Sequence, residues 1–339
     1  MTRRDFVHTA AVAAFAQPAF AAAPRFRMGI CTTSGMAERP AGGGGRRPDT
    51  LSYLEKCAAL GAGGIQSAVS GDPAKLRARA DELGMYLEGI VAIPRTGDMS
   101  ALEKQLQDCR GAGITVVRTG MLNGRRYETF PTLAEWNAWV KQSQAALKLA
   151  VPLAERYKIT LAMENHKDWT TEQYLDIFRS YQSEYLGANY DFGNNISFLE
   201  DPMEMAEAVA PYVKAAHIKD IGLQPYADGF MMAEVPLGQG YLDLPGMCAT
   251  LVKANPKLKF SLEMMTRNPL KVPCLTDHYW EVFPDRGGRY LARTLKTVEK
   301  YKSAKPLPVV EGLAAADLLK LEVENVKLCL EYGKAKLNL

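Results

Sequence analysis

The chain repeats one pattern eight times: a short apolar segment, partly β-branched, followed by an amphipathic stretch with helical spacing. Parallel strands are buried on both faces and therefore apolar on both, as in the segment Ile114-Thr-Val-Val117. Eight strands that alternate with helices predict an α/β fold, a single-domain (β/α)8 TIM barrel. The predicted strands are Phe26–Thr33, Gly64–Val69, Leu87–Ile93, Ile114–Thr119, Ile159–Glu164, Ala188–Phe192, Val213–Ile218 and Leu258–Met264.

An open, doubly wound sheet is the main alternative for such a pattern, and the sequence gives it no support. No G-x-G-x-x-G motif follows the first predicted strand. Gly42–Gly45 lacks the Lys-Ser/Thr of a phosphate-binding loop, so we expect a flexible active-site loop or a surface linker there. We expect a long loop over Gly222–Tyr241 and an added C-terminal helix within Pro306–Leu339.

The N-terminus has the features of an export signal. Arg3 and Arg4 form a twin arginine, the apolar run Ala10–Phe20 follows, and small residues then offer an A-x-A cleavage site. We therefore predict a twin-arginine signal over residues 1–23, a mature barrel over 24–339, and a periplasmic or secreted protein. The apolar run is too short to cross a bilayer as a helix, so we expect no membrane span.

Charge and cysteine content exclude several classes of function. The net charge is only +3 and the basic residues are scattered, which argues against a nucleic-acid partner. Six cysteines are present without a C-x-x-C pair, so neither a structural zinc site nor a redox motif is indicated. Buried thiols are the simplest expectation for them. The sequence leaves open whether the protein is a homo-oligomer.

Four consecutive predicted strands, the fifth to the eighth, each end in one hard metal ligand. They are Glu164, Asp191, His217 and Glu263. In a barrel, the carboxyl ends of the strands form the catalytic face, so these side chains are expected to meet. Three carboxylates and an imidazole suit one divalent cation, namely Mn²⁺, Co²⁺, Mg²⁺ or Zn²⁺. A salt bridge or a helix cap is the alternative for any one of them taken alone.

These segments resemble the xylose-isomerase-like sugar phosphate isomerase/epimerase superfamily over essentially the whole mature chain. The resemblance implies that the same four residues hold one divalent metal, and that Glu164 and Glu263 move protons on the substrate. The motifs that carry it are Ala162-Met-Glu-Asn-His166, Tyr190-Asp-Phe-Gly193, His217-Ile-Lys-Asp220, Leu237-Gly-Gln-Gly240 with Leu242-Asp-Leu244, and Leu262-Glu263.

The chain departs from the ketose 3-epimerases of that superfamily at three positions. Asn194 stands where they have a histidine, Leu223 where they have an arginine, and Thr170 where they have a second glutamate. In that subfamily these residues grip substrate hydroxyls or orient the catalytic glutamate. Their absence weakens the case for a ketose 3-epimerase and leaves the metal ligands untouched.

Four further residues are candidates for binding substrate. Lys219 and His166 each follow a metal ligand at a spacing of two, which is the repeat of one strand face. Arg118 ends the fourth predicted strand, and Asn194 takes the place of the substrate-binding histidine. A salt bridge for Lys219 or Arg118 and a structural hydrogen bond for His166 are the alternatives.

The function expected is a metal-dependent sugar isomerase or epimerase that removes a proton α to a carbonyl and passes through an enediolate. A 3-keto-glycoside lyase or keto-sugar dehydratase with the same metal and glutamates is the alternative, and a non-catalytic sugar-binding barrel is a third. Export favours a free or glycosidic sugar or keto-sugar as the substrate over a sugar phosphate.

Overall fold

The computed structural model describes residues 28–35 and 49–339, and eight of its strands pair in parallel and close into a barrel. Around the barrel the strands follow the order β1-β10-β7-β6-β5-β4-β3-β2. The predicted (β/α)8 architecture is confirmed. The strands are β1 Gly29–Cys31, β2 Gly64–Ser67, β3 Tyr86–Ile90, β4 Val116–Thr119, β5 Thr160–Glu164, β6 Leu186–Asp191, β7 Val213–Ile218, β8 Asp220–Tyr226, β9 Gly229–Val235, β10 Phe260–Leu262 and β11 Leu270–Val272.

Helices follow the barrel strands, and their ends carry the signals expected from the sequence. Asp72 caps α2 by accepting from two backbone N–H groups, and Gly84 ends that helix in the left-handed conformation. Thr132 and Glu135 form a reciprocal capping box at the start of α5. The helices are α1 Thr50–Ala59, α2 Pro73–Leu83, α3 Ser100–Gly111, α4 Arg126–Thr129, α5 Leu133–Tyr157, α6 Thr171–Tyr181, α7 Pro202–Val209, α8 Leu244–Ala254, α9 Asp277–Trp280, α10 Gly288–Tyr301 and α11 Ala315–Tyr332.

The segment after β7 is a β-hairpin, so the long loop expected over Gly222–Tyr241 was wrong. Strands β8 and β9 pair antiparallel, with Tyr226 opposite Gly229, and β11 joins the free edge of β9. Only two residues, Ala227 and Asp228, connect the two strands. Asp228-Gly229 is a common hairpin turn signal, whereas Pro225 disfavours strand within the same segment.

Aromatic packing fills the amino-terminal end of the barrel. The Tyr86 hydroxyl lies 3.0 Å from the backbone nitrogen of Gly29 and 2.9 Å from the carbonyl oxygen of Phe260. A Cβ atom at Gly64 would lie 2.4 Å from the Tyr86 ring, so only glycine fits there. With this end filled by apolar contacts, the polar side chains of the barrel interior collect toward the opposite, carboxyl end.

Two of the predicted segments lie outside the described residues. They are the export signal at 1–23 and the glycine-rich stretch Gly42–Gly45. Among the residues that the structure does describe, no helix is long and apolar enough to cross a membrane. All six cysteines are described, and each is a buried free thiol.

Candidate metal centre and active site

The structure brings the four predicted ligands together at the carboxyl end of the barrel. Glu164 and Asp191 end β5 and β6, His217 is the penultimate residue of β7, and Glu263 follows β10 directly. One ligand atom from each of the four lies within 4.8 Å of the others, and all four side chains are buried. The parallel strands bring these residues to the same level because Asp191 pairs with His217 in the sheet register.

The free atoms of this cluster fit a cation. Glu164 Oε1, Asp191 Oδ1 and His217 Nδ1 are buried and have no hydrogen-bond partner. A buried carboxylate is costly unless it is paired or bound to metal, and buried polar atoms are nearly always satisfied. Two carboxylate oxygens and an imidazole nitrogen without hydrogen-bond partners, in a cluster this compact, therefore match the ligand set of a divalent metal. The cluster can hold one such ion.

Two predicted substrate-binding cations form ion pairs with the ligands. Arg118 contacts Glu164 Oε2 through its guanidinium and leaves Oε1 free. Lys219 Nζ lies 2.7 Å from Asp191 Oδ2 and 2.9 Å from Glu263 Oε2. The salt-bridge alternative thus describes both residues, and the partners of Lys219 are Asp191 and Glu263.

The remaining two predicted substrate-binding residues, Asn194 and His166, differ in burial and in hydrogen bonding. Asn194 is fully buried, and its amide donates to Asp191 Oδ2 and to the backbone carbonyl of Asn165. It therefore holds a ligand in place. His166 is only partly buried, and its Nδ1 has no hydrogen-bond partner. Burial lowers the pKa of His166 to about 4, so its imidazole is neutral and free to accept or donate a hydrogen bond.

Gln66 contacts the cluster, although no sequence pattern singles it out. Its amide nitrogen donates to Glu88 Oε2 at 3.1 Å and to Asn189 Oδ1 at 3.5 Å, which fixes the orientation of the amide. Gln66 Oε1 then faces His217 Nε2 at 2.5 Å. An oxygen there can only accept, so Nε2 carries a proton and Nδ1 is the nitrogen that faces the cluster, 3.6 Å from Glu263 Oε2.

The hairpin contributes a second residue that sequence reasoning missed. Glu234 on β9 is buried and lies 3.9 Å from Lys219 Nζ. Arg267 pairs with the same carboxylate, with its Nε 3.0 Å from Glu234 Oε2. A loop over this segment predicts no side chain pointing inward. In the strand β9, alternate side chains point to opposite faces, and this places Glu234 next to Lys219.

Charge around Glu263 keeps it ionised. Burial alone raises the pKa of this carboxyl, but the Lys219 ammonium and the His217 imidazole hold it well below its usual value. Glu263 is thus available as an anionic ligand or a proton acceptor.

The profile of the xylose isomerase-like TIM barrel family matches residues 54–280. The chain belongs to this family. It is 32% identical to the 3-oxo-isoapionate decarboxylase of Pectobacterium atrosepticum over 210 residues, which cover 59% of this chain and 72% of that protein.

Solved structures share the fold at low sequence identity. A crystal structure of D-psicose 3-epimerase in the presence of D-fructose is 14% identical, covers 92% of this chain and 100% of its own, and superposes with a TM-score of 0.59. A xylose isomerase-like TIM barrel protein from Mycobacterium smegmatis in complex with magnesium is 18% identical, covers 80% of this chain and 98% of its own, and has a TM-score of 0.52.

Proposed function

We propose that this protein is a metal-dependent isomerase or epimerase of a keto-sugar, which acts by proton abstraction α to a carbonyl and an enediolate intermediate. The observation that carries the proposal is that two glutamates, Glu164 and Glu263, share one buried cluster with Asp191 and His217. The fold shared with D-psicose 3-epimerase supports the same chemistry.

The chain's own groups would divide the work. One of Glu164 and Glu263 removes the proton from the carbon next to the carbonyl, and the other returns a proton elsewhere. Arg118 holds one oxygen of Glu164, so this carboxylate presents a single defined oxygen to the cluster. A bound divalent cation would polarise the substrate carbonyl and neutralise the charge that develops on its oxygen.

Decarboxylation of a 3-oxo sugar acid is the second candidate, and the 32% identity to 3-oxo-isoapionate decarboxylase favours it. In that reaction the bond to the carboxylate carbon breaks, CO₂ leaves, and the electron pair passes to the ketone oxygen as an enediolate. A glutamate then protonates the carbon. A keto-glycoside lyase or a dehydratase instead begins with removal of the proton α to the carbonyl, and the electron pair then expels the aglycone or water from the β carbon. Both routes pass through an enolate next to the cation, so the site fits all three lyase reactions.

Deuterium incorporation separates these reactions. The mature protein would be incubated in D₂O with free keto-sugars, 3-keto-glycosides and 3-oxo sugar acids, with Mn²⁺ or with EDTA. Exchange at the carbon α to the carbonyl that needs metal and is lost in Glu263→Gln supports the isomerase. Release of CO₂ with one deuterium gained at the carbon that loses it identifies a decarboxylase, and release of an aglycone with formation of an enone identifies a keto-glycoside lyase. A metal-loaded protein that catalyses none of these reactions would refute the proposal.

We also propose that residues 1–23 direct export. Cell fractionation checks this: the wild-type chain is expected in the periplasm or the medium, whereas a variant with Arg3→Lys and Arg4→Lys is expected to stay in the cytoplasm.

A further inference from the structure

Lys167 occupies a backbone conformation that lysine rarely adopts. Its φ is +70°, in the left-handed region, within the loop that connects β5 to α6. A non-glycine residue there is strained, and such strain collects at functional sites. Lys167 lies three residues after the ligand Glu164, on the catalytic side of the barrel. Glycine would adopt this backbone conformation without strain, yet the position carries a long cationic side chain.

The Lys167 ammonium is buried and only partly satisfied. The residue is 3% exposed, and among the described residues its Nζ has one hydrogen-bond partner, the amide oxygen of Asn194. No carboxylate of the described residues lies within ion-pair distance of it. An ammonium has three donors, so two of its N–H bonds remain unused. Burial lowers the pKa of Lys167 to about 8, and the charges of Lys219 and Arg267 act in the same direction.

The ion-paired carboxylates around Lys167 already have other cations as partners. Arg118 pairs with Glu164, Lys219 bridges Asp191 and Glu263, and Arg267 pairs with Glu234, as the contacts above show. These ion pairs contain three cations and four carboxylates. Their net charge is −1. A divalent metal on the cluster would change it to +1, and the Lys167 ammonium adds a further positive charge.

We propose that Lys167 forms a subsite for an anionic group of the substrate, a carboxylate of a sugar acid, beside the metal cluster. The inference rests on the proposed function and names its substrate class. Asn194 links the subsite to the cluster, since it accepts from Lys167 and donates to Asp191. A carboxylate matches the two open N–H bonds of one ammonium. A phosphate dianion would call for a second unpaired cation, and the neighbouring Arg118, Lys219 and Arg267 are all paired.

Calorimetric titration of the Mn²⁺-loaded protein with D-xylonate and with xylitol, its uncharged counterpart, tests the subsite. We expect wild type to bind xylonate about tenfold or more tightly than xylitol, as a charge-assisted hydrogen bond provides. In Lys167→Met and Lys167→Gly this preference should disappear. The glycine variant also suits the positive φ, so its thermal unfolding midpoint should equal or exceed that of wild type. Lys141→Met, at an exposed lysine, should keep the wild-type preference.

Each contrary result has a distinct meaning. A xylonate preference that survives in both Lys167 variants would mean that other groups hold the carboxylate, and would overturn the subsite. A wild type that contains metal but binds both probes equally would overturn it as well. Inorganic phosphate that binds wild type more tightly than xylonate and loses this advantage in both variants would overturn the carboxylate assignment. Metal content and the deuterium assay, measured separately, distinguish these results from failure of the proposed function, which would appear as a protein without bound metal or as a metal-loaded protein without catalysis.

Discussion

Gln66 Oε1 lies 2.5 Å from His217 Nε2, a contact between residues 151 positions apart in the chain. Gln66 is itself held by Glu88 and Asn189, so it sets the tautomer of His217 rather than adapting to it. Such outer partners orient the ligands of metal sites and raise their basicity. Nδ1 of His217 is therefore directed to the cluster before any ion binds.

Replacing Gln66 should weaken metal binding. In Gln66→Ala the imidazole of His217 loses its fixed tautomer, and we expect the affinity for Mn²⁺ to fall by roughly 10–100-fold. Competition with a chromophoric chelator measures this affinity. Gln107→Ala, at an exposed glutamine hydrogen-bonded to Tyr157, is the matched control and should bind as wild type does. Equal affinities of Gln66→Ala and wild type would show that the contact does not orient the ligand.

The effects of Arg118 and Glu164 on the free energy of unfolding should be strongly coupled. Removing the guanidinium in Arg118→Met leaves a buried carboxylate without a cation, so we expect the metal-free protein to lose about 3–5 kcal/mol of unfolding free energy. Urea denaturation in EDTA measures the loss. In the double variant with Glu164→Gln no charge is stranded, and the combined loss should be smaller than the sum of the single losses. Additive losses would contradict the coupling.

Lys219 should make the protein less dependent on metal for its stability. Its ammonium bridges Asp191 and Glu263, and in Lys219→Met only a divalent ion is left to offset their repulsion. We expect this variant to have a lower thermal midpoint in EDTA and to gain more from added Mn²⁺ than wild type gains. Differential scanning calorimetry measures both shifts. The exposed Lys253→Met should respond as wild type does, and an equal response of Lys219→Met would disprove the bridge's role.

Asp168 should make stability fall as pH rises. Burial raises the pKa of this carboxyl from 3.8 to about 7, so its ionisation disfavours the folded state. The folded protein then binds more protons than the unfolded chain between these values, and stability is lost through that window, by about 4 kcal/mol in full. Asp168→Asn removes this loss, so its stability relative to wild type should increase from pH 5 to pH 8 in urea titrations. The exposed Asp176→Asn should show no such trend.

Local patterns were sufficient to predict the barrel. The predicted strand Val213–Ile218 has the observed bounds, and the other barrel strands overlap their predictions, because short apolar runs between capped helices have few alternatives. The hairpin was missed because Pro225 lowers strand propensity near its turn, while tertiary pairing with β11 decides the structure.

The meeting of Glu164, Asp191, His217 and Glu263 was predictable because each lies at or next to the carboxyl end of a strand, and these ends meet at one edge of a barrel. Their supporting residues were not, since Gln66 and Glu88 are single polar residues inside apolar strands. Only closure of the barrel brings Gln66 against His217. Lys167 could not be selected from the sequence either. Its left-handed backbone conformation and the hydrogen bond from its ammonium to Asn194 exist only in the folded chain.

The hairpin β8–β9 adds a further consequence. It brings Glu234 to Lys219 from outside the eight barrel strands. A change in the hairpin would therefore alter the charge beside Lys219 while Glu164, Asp191, His217 and Glu263 keep their places at the carboxyl ends of the barrel strands. The electrostatics of the cluster thus depend in part on a segment that the closed barrel does not contain.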